Sequence, residues 1–232
     1  AATAAGAAGL INVDDMGFTM EPPRWPLAYA RSVALADAPR APPTIPVFRM
    51  SAPVFIELMN AYGVDGAGIL AHGARSVPLM SVYTMARLEA RFAMRERSYT
   101  SDNVLAALPG TDPALADEPV LLIAHLDGYG YGTPVNGDNL YNGALDDAAY
   151  VATLISFADA RRGRGFRRPV IFAAVTGEEK GLIGADYYAQ NPTVPIKQIV
   201  GNVDLDMPLL TYEFTDVIAF GANHSTIAKF VE

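Results

Sequence analysis

Two short, wholly apolar runs constrain the fold of this chain more than any other feature of its sequence. They lie at residues 120–124 (VLLIA) and 170–175 (VIFAAV). A strand without a polar face has to be covered on both sides, so each run predicts a buried strand. Segments with helical spacing follow them, at residues 146–160 and 178–190. This alternation predicts an α/β fold, a three-layer sandwich with helices on both faces of a mostly parallel, mixed sheet.

Weaker patterns extend this prediction along the chain. Residues 199–205 and 217–220 are interpreted as two more strands, and the Gly-, Tyr- and Asn-rich stretch 128–142 as a loop. In residues 77–104 apolar and polar side chains partly alternate, which predicts long antiparallel strands with one solvent-exposed face. We expect a domain boundary somewhere within residues 75–110.

Acidic and imidazole groups collect after the predicted strands and at the start of the helix between them. They are His125, Asp127, Asp146, Asp147, Glu178, Glu179, Asp204 and Asp206. The ligand-binding edge of such a sheet is formed by the carboxyl ends of its strands, so we expect these groups to converge there. Each one alone could be a helix cap or a complement to a helix dipole. Together they would leave like charges unneutralised, at a cost of roughly a few kcal/mol, unless a divalent cation binds among them.

The types of ligand favour a particular class of metal. One imidazole with several carboxylates suits zinc, cobalt or manganese in a two-metal hydrolytic site. Adjacent residues point in different directions, so one of Glu178 and Glu179 can bind metal while the other acts as a general base. Asp127 lies two residues after His125 and could hold the second ring nitrogen of that imidazole.

Composition excludes several other kinds of site. The chain has no cysteine, so a thiolate zinc site, a Cys nucleophile and a disulfide framework are all impossible. Its formal net charge of −8 argues against a nucleic-acid partner, because an acidic surface repels phosphate. We find no apolar run of the length that a membrane-spanning helix needs.

Four stretches together resemble peptidase family M28, the di-zinc aminopeptidases, over about residues 100–225. They are AHLDGYGYG (124–132), GDNLYNGALDDAA (137–149), TGEEKGLIGADYY (176–188) and NVDLDM (202–207). The first part of the chain resembles the protease-associated domain often inserted in these enzymes, through AAGLINV (7–13) and TIPVFRMSAPVFIELMNAYG (44–63). The resemblance implies a partial, β-rich protease-associated domain at residues 1–75 and a zinc-exopeptidase-like core at residues 76–232.

The resemblance also implies a role for each site residue. The implied zinc ligands are His125, Asp146, Glu179 and Asp206. Asp146 would bridge two zinc ions, Glu178 would be the general base, and Asp127 would support His125. The implied function is an aminopeptidase that cleaves N-terminal residues from peptide substrates with metal-activated water.

Three departures from the family pattern qualify these expectations. The His that completes the second metal site in the family has no counterpart in this chain, and His224 is disfavoured as its replacement. Tyr150 stands where the family has a small residue, and Gly128 stands where many relatives have a second His. We therefore expect one zinc to bind well and a second weakly or not at all, in a core cut short at its C-terminus that could be inactive as a fragment.

Other readings stay open at this stage. The chain could be a non-catalytic receptor or scaffold on the same fold, or a single-zinc acyltransferase similar to glutaminyl cyclase. A carboxypeptidase or dipeptidase specificity is also compatible with the motifs. The Ala-rich start without an initiator Met leads us to expect a processed or cut product, and it says little about location. We expect the parent protein to be exported, to the periplasm or outside the cell. The sequence makes no prediction of oligomeric state.

Overall fold

The structure is a computed structural model, and it describes residues 2–13, 33–37, 45–75, 77–79, 81–91, 93, 95–207, 213, 215 and 217–231. These residues fall into two compact units, which are described separately. One unit contains the described residues of Ala1–Arg24 and Ala36–Ser98, and the other contains those of Trp25–Leu35 and Tyr99–Glu232. Within the described residues, no helix is long and apolar enough to cross a membrane.

The first unit combines a short parallel strand pair with two helices. Strands β1 (Leu10–Val13) and β2 (Val47–Met50) pair in parallel. They are followed by helices α1 (Ala52–Ala61) and α2 (Gly66–Ala74). Asp65 caps α2, because its carboxylate accepts a hydrogen bond from the backbone N–H of Gly68 at 2.9 Å.

The long antiparallel strands predicted for residues 77–104 are wrong. The described residues between 77 and 103 contain no strand. Apolar side chains there are open to solvent: Tyr83 is 96% exposed and Met85 is 94% exposed. Alternation in a sequence predicts a strand only where one face can be buried against a partner, and these side chains have little burial. The described residues between 77 and 98 belong to the first unit by their contacts, and the division near residue 75 stays a prediction.

The second unit contains the α/β elements on which the site depends. Its strands are β3 (Val104–Leu108), β4 (Val120–His125), β5 (Gly130–Val135), β6 (Asp138–Tyr141), β7 (Val170–Val175) and β8 (Gly201–Asp204). Its helices are α3 (Ala149–Ala160), α4 (Ile183–Gln190) and α5 (Ala228–Val231). The main sheet has the order β3-β7-β4-β8. Strand β4 pairs in parallel with β7 and β8, and β3 is antiparallel to β7. The prediction of α/β content with a mixed sheet is confirmed.

Side chains of the two apolar strands divide between the faces of the sheet. On one face Leu121 and Ile123 cluster with Tyr188 of α4. On the other face Ala124 and Phe172 cluster with Leu154 of α3. Both strands lack a polar face because helices cover the sheet on both sides, as their sequences predict.

Two predicted elements of the second unit need correction. The stretch 128–142, interpreted as a loop, contains the hairpin of β5 and β6. Its two turn residues, Asn136 and Gly137, have φ values of 52° and 87°. Asn-Gly is the preferred pair for a tight hairpin turn with two positive φ angles, so the signal was present in the sequence. The strand predicted at residues 217–220 does not form; Phe220 there is 94% exposed.

We expect Phe172→Ala to destabilise the second unit by about 3–5 kcal/mol, because it removes a buried aromatic ring from a covered strand. Phe172 is only 7% exposed in β7. Phe220→Ala makes the same chemical change at a ring that is 94% exposed, and should cost less than about 0.5 kcal/mol. Urea unfolding of both variants measures the difference, and equal losses would contradict the assignment of β7 to the core.

Candidate metal centre

His125 is the centre around which the acidic groups gather. It is the last residue of β4 and its side chain is 3% exposed. Its Nε2 lies 3.0 Å from Oδ1 of Asp146, 3.8 Å from Oε2 of Glu178 and 3.9 Å from Oδ1 of Asp206. The structure therefore brings together side chains from four separate stretches of the sequence.

The parallel strands account for most of this convergence. β4 lies between β7 and β8, so the carboxyl ends of all three strands meet at one edge of the sheet. Glu178 follows β7 after Gly177, whose φ of 67° turns the chain sharply, and Asp206 comes two residues after β8. A ligand site at this edge is the expected position in sheets of this kind.

Asp146 reaches His125 from an irregular turn and not from a helix. The predicted helix 146–160 begins as α3 only at Ala149, and Asp146 has non-helical backbone angles of φ −112° and ψ 88°. The peptide bond between Asp146 and Asp147 is cis. The turn is packed tightly: Gly143 has a φ of 68°, and a Cβ there would lie 2.9 Å from the carbonyl oxygens of Asp127 and Asp146.

Gly128 is fixed by the same packing. A Cβ on Gly128 would lie 2.8–2.9 Å from the backbone of Asn142 and Gly143, closer than real side-chain contacts. The His that the family resemblance led us to expect at this position would not fit this backbone. The absence of a side chain at residue 128 therefore follows from the close approach of two chain segments.

The group of His125, Asp146 and Asp206 fits a divalent cation. Each offers one ligand atom, and these atoms lie within 4.8 Å of one another. Nδ1 of His125 lies 3.1 Å from the main-chain oxygen of Asp127, which can only accept a hydrogen bond. With Nδ1 as the donor, Nε2 of a neutral ring would direct a lone pair at three carboxylates. A proton or a cation is needed between them, and imidazole with carboxylates suits zinc.

Glu179 and His224 differ in their relation to this group. Neither belongs to the three-residue ligand set found among the described residues. Glu179 nevertheless lines the same open cleft as Asp146 and Asp206, and the side chain of Tyr129 forms a hydrogen bond with its carboxylate. His224 lies in an exposed short turn outside the cleft lining.

Asp127 makes a contact that sequence reasoning missed. Its carboxylate was expected to hold the His125 ring, but Oδ1 lies 3.7 Å from Nδ1, and Nδ1 donates its hydrogen bond to the Asp127 main-chain oxygen. The carboxylate instead accepts hydrogen bonds from the backbone N–H groups of Glu178, at 3.0 Å, and Glu179, at 3.3 Å. Asp127 therefore connects the end of β4 to the segment that carries both glutamates.

Burial and mutual repulsion shift the acidities of the cluster. Burial opposes a charge on His125, but the carboxylates of Glu178 and Asp146 outweigh it and raise the pKa of the ring above 6.5. Burial raises the pKa of Glu178 and Glu179 as well. Asp147 is fully buried, and burial together with the charge of Asp206 raises the pKa of its carboxyl to about 7.

We expect the metal-free protein to lose stability as pH rises from 5 to 8. The pKa of Asp147 is higher in the folded chain than its ordinary 3.8, so the folded state binds more protons than the unfolded state up to about pH 7. The raised pKa of His125 acts in the same direction above pH 6.5. The combined loss should be roughly 2–4 kcal/mol, and a divalent cation should reverse it. Urea unfolding across this range, with EDTA or with zinc, measures both effects.

Asp147→Asn removes the largest of these titrations and should flatten the pH profile in EDTA. Asp117→Asn is the matched control, because it makes the same chemical change at an exposed residue in the turn before β4. A profile for Asp147→Asn as steep as that of the unchanged chain would show that Asp147 is not the group that titrates.

Comparison with known proteins gives a family for this chain. The model of peptidase family M28 matches residues 103–232, more than half of the chain, and includes every residue of the candidate centre. The chain is also similar to Leupeptin-inactivating enzyme 1 of Streptomyces exfoliatus, with 28% identity over 189 residues. That match covers 78% of this chain and 40% of the relative, so the chain spans less than half of the relative's length. By the extent of the family match, this chain belongs to peptidase family M28.

Proposed function

We propose that this chain carries the metal centre of a zinc-dependent exopeptidase that removes N-terminal residues from peptides. Membership of the family suggests a metal-dependent peptidase. The observation that carries the proposal is the position of Nε2 of His125, within 3.0–3.9 Å of carboxylate oxygens of Asp146, Glu178 and Asp206. A buried imidazole whose Nε2 faces carboxylate oxygens is suited to share a cation with them.

In this proposal His125, Asp146 and Asp206 hold one zinc ion. A bound zinc ion would supply Lewis acidity, polarising the scissile carbonyl and lowering the pKa of water. The main-chain oxygen of Asp127 orients the His125 ring, since it accepts the Nδ1 proton and leaves Nε2 free for the cation. Glu179, which lines the same cleft as Asp206, would hold a second ion together with Asp146.

Glu178 is the proposed general base. It lines the cleft, and burial raises the pKa of its carboxyl, toward the range in which a base works near neutral pH. It would take a proton from the attacking water and pass that proton to the departing amine. Its backbone N–H is fixed by Asp127, which limits where the carboxylate can reach.

The charge of the cleft favours a free amino terminus over a free carboxylate in the substrate. Four of the residues that line it are acidic: Asp146, Glu178, Glu179 and Asp206. A protonated amine is attracted to this surface and a carboxylate is repelled. This supports an aminopeptidase over a carboxypeptidase.

The first unit is proposed to be part of a protease-associated domain, with the boundary near residue 75 expected from the sequence. β1 and β2 contain portions of the two stretches that resemble such domains. The three-layer zinc-exopeptidase-like architecture of the second unit is supported by the helices on both faces of its sheet. An exported location stays a prediction.

Glu178→Gln should lower turnover of a peptide with a free amino terminus by at least about 10²–10³-fold, because the amide cannot accept the proton of water. Zinc affinity should change by less than about threefold, since Glu178 is not among the three proposed ligands of the first ion. Release of the N-terminal residue and calorimetric zinc titration provide the two measurements. Glu57→Gln, at an exposed position of α1, is the control.

The same assay distinguishes the alternative functions. A peptide with N-terminal Gln would cyclise in a glutaminyl-cyclase-like enzyme and lose its first residue in an aminopeptidase. Leupeptin is a useful third compound, because the relative is named for inactivating it. A chain that binds zinc and turns over none of these compounds would favour the receptor or scaffold reading.

Asp146→Asn should reduce zinc affinity by at least about 100-fold, because the carboxylate 3.0 Å from Nε2 of His125 is lost from a three-ligand set. Calorimetry should give one tight ion for the unchanged chain and no tight ion for the variant. Asp117→Asn, in the exposed turn before β4, should leave the titration unchanged. Two tight ions in the unchanged chain would contradict the proposal of one strong site.

A further inference from the structure

We propose that Asn103 is a positioning residue for this site, which acts by fastening both ends of the loop that carries Glu178 and Glu179. This loop, residues 176–184, connects β7 to α4 and is called the glutamate loop below. The expected effect on turnover rests on the proposed peptidase function. The effect on the loop itself does not, and it can be measured separately.

Sheet topology explains how a residue so far from the glutamates in sequence reaches them. Asn103 immediately precedes β3, and β3 runs antiparallel to β7, with Val104 opposite Ala174. The start of β3 therefore lies beside the carboxyl end of β7, where the glutamate loop begins. An antiparallel strand at the edge of a parallel sheet brings its first residue to the ligand-binding edge.

The carboxamide of Asn103 uses its acceptor and its donor on opposite ends of the loop. Its Oδ1 accepts a hydrogen bond from the backbone N–H of Thr176 at 3.1 Å. Its Nδ2 donates to the carbonyl oxygen of Gly184 at 2.8 Å. The two loop ends are also joined directly, because the N–H of Gly184 donates to the carbonyl oxygen of Thr176 at 2.8 Å. One side chain thus closes a ring of three hydrogen bonds across the base of the loop.

Asn103, Thr176 and Gly184 pack closely together at the base of the loop. Asn103 is half-buried and Gly184 is buried. A Cβ at Gly184 would overlap both the Thr176 carbonyl oxygen and the Asn103 amide oxygen, so only glycine permits this close approach. The amide is held in a partly desolvated position, where water is a poorer substitute for its two partners.

The glutamate loop needs to be held because its backbone is unfavourable. Gly177, Gly181 and Leu182 all have positive φ, of 67°, 103° and 60°. Glycine adopts positive φ readily, but for Leu182 this left-handed conformation is unfavourable, and the surrounding contacts must offset it. Asp127 holds the loop from the cleft side through the N–H groups of Glu178 and Glu179. Asn103 holds both ends of the loop at its base, so the two glutamates lie between two fixed points, Thr176 and Gly184.

Hydrogen exchange of the metal-free chain tests the hold on the loop directly. In Asn103→Ala we expect the amides of residues 176–184 to exchange at least about tenfold faster, while those of β4 and β7 stay within about twofold. Asn103→Asp keeps an acceptor for Thr176 but turns a carboxylate toward the Gly184 oxygen. It should free the Gly184 end of the loop and protect the Thr176 amide. Asn191→Ala removes the same kind of bond, from Nδ2 to the Tyr187 oxygen at 3.1 Å, and is the matched control.

Kinetics and metal binding test the consequence for the site. We expect Asn103→Ala to lower kcat about 10–100-fold with KM within about threefold, because a misplaced base slows the chemical step more than it weakens substrate binding. Calorimetric zinc affinity at His125, Asp146 and Asp206 should stay within about threefold, since none of these residues lies in the loop.

Two results would overturn the inference. One is that the loop amides of both Asn103 variants exchange at the same rate as those of the unchanged chain. The other is faster exchange that spreads equally through β4 and β7, which would make Asn103 a general stability residue. If the unchanged chain shows no turnover, that result counts against the proposed function. The hydrogen-exchange result then tests by itself whether Asn103 holds the loop. If Asn103→Ala fails to fold, Asn103→Asp supplies the same comparison.

Discussion

The arrangement of the second unit depends on one electrostatic constraint, the buried ring of His125 facing carboxylates on its Nε2 side. Asp146, Glu178 and Asp206 approach that nitrogen from three different connections. Negative groups this close repel one another strongly in a partly desolvated place, and a positive charge has to lie among them. The raised pKa values of the cluster express the same constraint in the metal-free chain. A cation is the simplest means of meeting it in a peptidase of this family.

The backbone around this cluster is as specialised as its side chains. Gly128 and Gly143 pack against each other too closely for a Cβ on either, and this contact sets Asp127 beside the turn that presents Asp146. Asp127 then fixes the glutamate loop through two backbone N–H groups, and Asn103 joins the two ends of that loop at its base. The acidic side chains are thus held by connections between loops, because the strands alone end before reaching the cleft.

The sequence predicted those elements whose pattern of apolar residues corresponds to their burial in the fold. The apolar runs at β4 and β7 had no polar face, and both are covered on two sides. The segment at residues 77–103 shows the limit of such patterns, because alternation there has no partner strand among the described residues. The Asn136-Gly137 turn was a readable signal that was passed over within a Gly-rich stretch. The error at residues 77–103 came from judging a segment without knowing what lies against it, whereas the hairpin turn is a local signal that the sequence carries.

For the site, the sequence by itself determined which residue types were available and at which strand ends they stood. It could do so because parallel strands bring their carboxyl ends to one edge, whatever the details of their loops. The tertiary structure alone decided how the groups are used. The Asp127 carboxylate binds the backbone amides of Glu178 and Glu179 instead of the His125 ring, and Asn103 lies at the base of the glutamate loop. Hydrogen bonds between residues distant in the chain depend on angles and separations of about an ångström, which no sequence spacing specifies.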